Sequence, residues 1–272
     1  MSANDFPLGL RYSMPADDYH ASPGVSNSGL RDFARSPAHF YALHLDPGRP
    51  APTEKAGQLE GTLAHCAILE PDQFGRRYAV GPDVSRSTKV WAAWEASETR
   101  QGIKAQQRDI AMLQARSVRS LPDVARLLSA GEPEVSAFWI DPATGESCRC
   151  RPDWVHPVGD DAVILLDVKT YSDASPEEFA RQVARKGYHC QAAWYSDGFA
   201  AASGKRVLGF VFVAVESAWP HAACACMLDD DGLQRGREIN AGLLESYAEC
   251  RRTGVWPGYS QSIEQITLPA WA

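Results

Sequence analysis

The 272-residue chain is 44% hydrophobic and 22% charged, which excludes an intrinsically disordered protein and leaves room for one large domain or two small ones. Its 27 Lys and Arg against 34 Asp and Glu give a net charge of −7, excluding a protein that coats DNA by charge alone but not an enzyme that meets phosphate through bound cations. No basic start leads into an apolar run, and no stretch of about 18 apolar residues occurs, so the expectation is a soluble cytoplasmic protein.

In chain order, residues 26–45 place Leu30, Phe33 and Ala34, then Phe40, Leu43 and His44, at helical spacing. The break at Ser36-Pro37 predicts two short helices, the second opened by Pro37. Gln58 to Leu69 repeats the pattern through Leu59, Leu63, Cys66 and Ala67. Residues 87–118, rich in Ala, Gln, Glu and Arg, predict one long, largely solvated helix, and 122–130 a short one. From Glu134 the pattern turns to strands, at 134–140, 146–155 and 162–170, separated by turn signals at 141–145 and Gly159-Asp160. Helices return at 175–186 and 189–202, strands at 207–215 and 221–228, and a last helix at 231–252. The order predicts an α/β fold of the α+β type, a central mixed β-sheet flanked by helices, as one domain over 1–272 with neither linker nor repeat.

Seven cysteines make an odd count, with no export signal and no C-x-x-C pair. Small buried apolar residues account for them better than a disulfide framework or a metal cluster.

The strongest chemical signal is Arg151-Pro152-Asp153, followed by the apolar run that holds Asp167, Val168, Lys169 and Thr170. Asp167 and Lys169 are two apart on a strand and share a face. Alone, the pair reads as a strand salt bridge. A hairpin through Gly159-Asp160 would set Asp153 beside Asp167, and two adjacent carboxylates repel unless a hard cation, Mg²⁺ or Mn²⁺, lies between them. A cation there with a neighbouring Lys suits phosphodiester hydrolysis: the cation polarises the phosphate, and Lys169 serves the attacking water. His65 follows Gly61 by one helical turn, and the glycine is expected to let the helix approach the sheet.

The P-D…D-x-K core is that of the PD-(D/E)XK nuclease superfamily. With the blocks GQLEGTLAHCAILEP (57–71), EVSAFW (134–139), CRCRPDW (148–154), LDVKT (166–170), QAAWY (191–195) and WPGY (256–259), the chain resembles the exodeoxyribonuclease VIII (RecE-type) family from residue 19 to its end, most weakly over 75–120. Residues 75–120 are expected to be a variable helical insertion, which either gates a DNA channel or covers the sheet. The resemblance implies metal binding by His65, Asp153, Asp167 and the Val168 carbonyl, and a water-serving role for Lys169. It also implies an acidic ligand at Glu134, with Glu132 left open as the alternative. Gln191 and Tyr195 resemble a Q-x-x-x-Y motif that supports the site and contacts DNA; an ordinary helix–sheet contact is the alternative. Ser26, Ser28, Arg31 and Ser36 resemble the family's S-x-S opening and would contact substrate phosphate, as would Thr170; helix capping explains the serines equally well. Arg181, Arg185 and Lys186 either track a phosphate backbone or form a solvated face.

The implied activity is Mg²⁺-dependent (Mn²⁺ substituting) 5′ to 3′ degradation of one strand at double-stranded DNA ends. It would leave 3′ single strands for a single-strand annealing protein, in a toroidal homotetramer of phage or prophage origin. Neither ATP nor an iron-sulfur cluster is expected: residues 198–206 miss the P-loop spacing, and Ser36 stands where cluster-bearing relatives carry Cys. A non-catalytic DNA-end scaffold and an endonuclease or RNA-processing enzyme of the superfamily are the alternatives.

Overall fold

The computed structural model describes residues 8–50, 53, 56–260 and 262–268. The chain ends included in the single-domain expectation, 1–7 and 269–272, lie outside the described residues.

The chain opens with strand β1 (Gly9–Arg11) and helices α1 (Ala16–Ala21), α2 (Asn27–Arg35) and α3 (Pro37–Phe40). As the spacing predicts, Pro37 sits in the first turn of α3, and Ser36 caps it by accepting the His39 N–H at 3.3 Å. Helices α4 (Gln58–Leu69) and α5 (Pro71–Arg77) lead to β2 (Tyr78–Val80), α6 (Lys89–Ser97), β3 (Gln101–Ile103), α7 (Ala105–Arg119) and α8 (Pro122–Leu127). The single helix expected over 87–118 is therefore two helices with a strand between. The Glu98 carboxylate accepts the Thr99 and Arg100 N–H groups at 3.0 and 3.1 Å and closes the turn after α6. Beyond it β3 pairs in parallel with β2, where Gly102 leaves the room that Trp94 fills; a Cβ there would stand 2.8 Å from the indole. Helix α7 is exposed over most of its length, as expected, and buries one stripe, Ala111, Gln114, Ala115 and Val118.

Next come β4 (Glu132–Pro133), β5 (Ser136–Ile140), β6 (Ser147–Cys150), β7 (Trp154–Val158) and β8 (Ala162–Tyr171). The strand expected over 146–155 breaks at Arg151–Asp153, because Pro152 has no N–H to give a ladder and its two ends serve different sheets. Cys150 pairs with Ala137 in an antiparallel sheet ordered β1-β5-β6, whereas Trp154 pairs with Leu166 in the central sheet. Asp153 thus lies just before β7 and not within a strand. Gly159, at φ 62°, turns β7 into β8 as expected.

Helices α9 (Pro176–Lys186) and α10 (Tyr188–Ser203) form the crossover to β9 (Arg206–Glu216), which runs parallel to β8. β10 (Ala223–Met227) and α11 (Asp230–Thr253) follow. The central sheet, ordered β10-β9-β8-β7-β4, is mixed and carries helices on both faces, in agreement with the expected α+β class. Val163, Leu165, Phe210 and Phe212 pack toward α2, α9, α10 and α11; Leu166, Val168, Val211 and Val213 pack toward α4, α5, α7 and α8. Helix α10 also braces the smaller sheet. Trp194 donates to the Arg149 carbonyl at 3.0 Å, and Trp139 lies so close to Gly198 that a Cβ there would stand 2.2 Å from its ring. All seven cysteines are free thiols. Among the described residues no helix is long and apolar enough to cross a membrane.

Candidate active site

Asp153 stands where the chain passes from the small sheet into the central one. Its Oδ2 accepts the Val168 N–H at 2.7 Å, which pins the carboxylate against β8. From α4, His65 brings Nδ1 to 3.4 Å from the same oxygen. Glu134 lies in the turn between β4 and β5 in a left-handed conformation, φ 55°, unusual for a residue with a Cβ. Its N–H is tied to the Asp153 carbonyl at 3.0 Å, so the two acids approach through both backbone and side chain. One donor atom each from His65, Glu134 and Asp153 lies within 4.8 Å of the others, a group able to hold a metal ion. It is Glu134, not Glu132, that joins the group.

Asp167 stands just deeper, on the α10 face of β8, and is 2% exposed. Gln191 of α10 donates to its Oδ1 at 2.6 Å, and Lys169 pairs with its Oδ2. The strand salt bridge expected of D-x-K is therefore present. That contact is an ion pair without hydrogen-bonding geometry, so Asp167 Oδ2 remains a buried oxygen with no hydrogen-bond partner. Lys169 Nζ also lies 4.8 Å over the ring of Tyr188.

The electrostatics follow from crowding acids out of water. Burial, reinforced by Asp153 and opposed by Arg151, pushes Glu134 up to about 7. Burial and the neighbouring Asp167 raise Asp153 well above the carboxylate range. Burial depresses His65, with Asp167 pulling the other way. Arg151 offsets part of this charge: its Nε donates to Glu134 Oε2 at 2.6 Å, its Nη1 donates to the Met14 carbonyl at 2.9 Å, and its guanidinium lies 5.5 Å from the Tyr19 ring. The group opens into a cavity of about 610 Å³ bordered by Thr62, Glu70, Arg77 and Arg151. A second, of about 390 Å³, is lined by Tyr19, Gly61, His65, Glu134 and Tyr195.

Residues 26–269 match the family described as "PDDEXK-like domain of unknown function (DUF3799)". The chain belongs to this family. The PDDEXK-like domain shares its fold with the crystal structure of a "putative exonuclease" from Eubacterium rectale, at a TM-score of 0.62 and 13% identity over 95% of this chain and 97% of that one. An alkaline exonuclease from Laribacter hongkongensis matches at a TM-score of 0.34 and 13% identity over 88% of this chain and 97% of that one, too loosely to carry an argument. No curated protein matches the chain.

Within this PDDEXK-like domain, His65, Glu134, Asp153, Asp167, Val168, Lys169 and Gln191 lie next to one another. Asp167, however, is held back by Gln191 and Lys169 and stands outside the His65–Glu134–Asp153 group. Thr170 lies by Gly61, where a Cβ would stand 3.8 Å from its Oγ1, an ordinary contact. The approach of α4 to the sheet therefore does not require glycine at 61, contrary to expectation. Tyr195 borders the smaller cavity and packs on Phe210 at 5.9 Å. The serines are engaged locally: Ser26 caps α2 through the Gly29 N–H at 3.2 Å and bonds Ser28 at 2.9 Å. Ser36 is 5% exposed and lies 2.6 Å from His39 Nδ1. Arg31 faces a separate cavity with Arg185 and Lys186. The roles of Arg151, Tyr19 and Tyr188 do not follow from the sequence. An arginine directly before Pro-Asp is the one available signal, because the other two reach the site only through tertiary packing.

Proposed function

We propose that this PDDEXK-like domain is a divalent-cation-dependent deoxyribonuclease. In this reading it hydrolyses one strand of linear double-stranded DNA from an end, 5′ to 3′. The observation that carries the reading is the convergence of His65, Glu134 and Asp153 beside the Asp167–Lys169 pair.

The donor set suits a hard cation: three carboxylates and one imidazole, with Asp167 Oδ2 a buried oxygen lacking a hydrogen-bond partner. His65, Glu134 and Asp153 would hold it, with Asp167 and the Val168 carbonyl completing the set. Mg²⁺ is the expected ion, with Mn²⁺ favoured more by the imidazole. When bound, the cation supplies Lewis acidity to the scissile phosphate. Lys169, beside Asp167, orients the attacking water and offsets the negative charge that grows on the phosphate oxygens. Gln191 keeps Asp167 in place through its Oδ1, and Arg151 keeps Glu134 aimed inward. The water oxygen bonds to phosphorus and loses a proton as one phosphodiester P–O bond breaks and its leaving oxygen gains one, giving a phosphate monoester and a free hydroxyl. Tyr195 lines the smaller cavity and would meet the strand, as would Thr170 and Arg31.

The finer reading rests on the resemblance to exodeoxyribonuclease VIII: 3′ single strands passed to an annealing protein, and a toroidal tetramer that keeps the DNA threaded. The fold shared with the E. rectale "putative exonuclease" supports action at ends. The test uses linear duplexes labelled at the 5′ or the 3′ end, with Mg²⁺, Mn²⁺ or EDTA, beside Lys169→Ala and a closed circular DNA. Early metal-dependent release of the 5′ label, absent in Lys169→Ala and with circles intact, is expected. Cut circles would make the enzyme an endonuclease. Bound ends without cleavage in either metal would make it a scaffold.

A further inference from the structure

Strand β8 and helix α10 face each other along matching stripes. The alternation of a strand turns Asp167, Lys169 and Tyr171 to one face of β8. On α10, Tyr188 and Gln191 stand at i and i+3 and share one side of the helix. The crossover runs α10 back along β8, so its first turn lies over the end of the strand. Gln191 donates to Asp167 Oδ1 at 2.6 Å. One turn earlier, Tyr188 sets its ring 4.8 Å from Lys169 Nζ and bonds its hydroxyl to that of Tyr171. Each member of the D-x-K pair thus meets a partner of its own on α10.

The Tyr188 ring is itself held. It stacks on Phe212, the register partner of Asp167, at 5.7 Å and lies 6.3 Å from Phe179, which packs edge-on against Tyr171 at 5.9 Å. Phe179 and Phe212 are fully buried, so the wall behind the two tyrosines is rigid. Gly187, at φ 69°, turns the chain from α9 into α10 and sets the point at which Tyr188 enters the helix. Lys169 is the opposite case: an ammonium on a flexible four-carbon stem, with 18% of its side chain exposed. It meets the Asp167 carboxylate and the Tyr188 ring. A cation at the negative face of a ring is attracted to it, most strongly where water is excluded.

We propose that Tyr188 is a positioning residue for Lys169. Its ring holds the ammonium at Asp167, beside the acid cluster, and the hydroxyl bond to Tyr171 keeps the ring in that attitude. The inference rests on the nuclease reading, in which Lys169 orients the attacking water, and deepens it. It gives the first turn of α10 a part in the chemistry that Gln191 alone does not supply: one residue fixes the carboxylate of the pair and the other fixes the amine.

The test is single-turnover cleavage of a linear duplex in Mg²⁺ by wild type, Tyr188→Leu and Tyr188→Phe. Tyr188→Leu is expected to slow cleavage of bound DNA about tenfold while the protein concentration giving half-maximal rate stays within about twofold. Tyr188→Phe keeps the ring face and is expected to recover the rate to within about threefold of wild type. A wild-type rate in Tyr188→Leu, or a loss confined to DNA affinity, overturns the proposal. Trifluorophenylalanine and pentafluorophenylalanine inserted at position 188 keep the shape of phenylalanine while draining negative charge from the ring face. The rate should fall stepwise with fluorination, by about threefold or more with the pentafluoro ring, and a rate insensitive to fluorination overturns the proposal even where Tyr188→Leu fails to fold. Urea unfolding in EDTA separates this inference from the nuclease reading. Tyr188→Leu should lower the folding equilibrium constant about two- to fivefold more in the wild-type background than in a Lys169→Met background, and equal losses overturn the contact. If wild type cuts DNA and every Tyr188 variant cuts equally well, this inference alone falls. If wild type cuts no DNA, the nuclease reading falls and takes the positioning role with it.

Discussion

Replacing Arg151 by Met removes the guanidinium from Glu134 while keeping an unbranched side chain in the same space. Arg151 is 13% exposed and Glu134 32%, so solvent screens the pair in part, and the loss of the 2.6 Å charged bond is placed at about 1.5–3 kcal/mol. The bond to the Met14 carbonyl goes as well, and that part does not depend on pH. The Glu134 part does. With Glu134 at about 7, the carboxyl of the metal-free protein is mostly neutral at pH 6 and mostly ionised at pH 8. Arg151 is one of the influences holding it down to that value, so its removal sends the group higher. A carboxyl raised on folding favours the folded state while it is protonated, and that contribution is lost as pH rises through the folded value. The variant should therefore show an extra destabilisation at pH 8 over pH 6 of about 1 kcal/mol for a rise of one unit, levelling off near about 1.4 kcal/mol for larger rises. Urea unfolding in EDTA at the two pH values measures this. An equal loss of stability at pH 6 and pH 8 would refute the claim that Arg151 acts on Glu134 by charge.

Metal-free protein should lose Tm as pH climbs from about 5 to 8, because Glu134 and Asp153 are both raised and must ionise together. Added Mn²⁺ should restore more Tm at pH 8 than at pH 6, and a cation effect equal at both would count against carboxylate ligation. Gln191→Leu strips Asp167 Oδ1 of its 2.6 Å donor and should cost about 1–3 kcal/mol in thermal unfolding, with cleavage falling at least tenfold; wild-type turnover in that variant would mean Gln191 is only a packing residue. Gly61→Ala should keep Tm within about 1 kcal/mol of equivalent stability and retain activity, since its Cβ meets Thr170 at 3.8 Å. A collapse of either would show that α4 packs closer to β8 than that spacing.

What the sequence makes legible is whatever repeats along one segment. The β7–β8 hairpin announces itself through a Gly159 turn between apolar runs, and the D-x-K spacing alone puts Asp167 and Lys169 on one face. Residues 146–155 carry strand-like residues throughout, and nothing in their alternation marks that Cys150 and Trp154 belong to different sheets; Pro152 is visible, but its consequence is tertiary. The segment over 75–120 misleads for a similar reason: Ala, Gln and Arg favour helix, and the parallel pairing of β3 with β2 over three residues overrides that preference. Within the site, the Arg151–Glu134 pair spans 17 residues and joins a turn to a strand break, a contact no periodicity encodes.

Helix α10 works as an alignment bar. One end carries Gln191 against Asp167, and two turns further on Gly198 is pressed against Trp139 of the small sheet. The spacing between the two sheets and the position of the acids are thus set by one rigid rod, about 10 Å between those two points. Any side chain at 198 would lever the rod outward from Trp139 and carry Gln191 with it, so a change at a buried glycine two turns away is felt at Asp167.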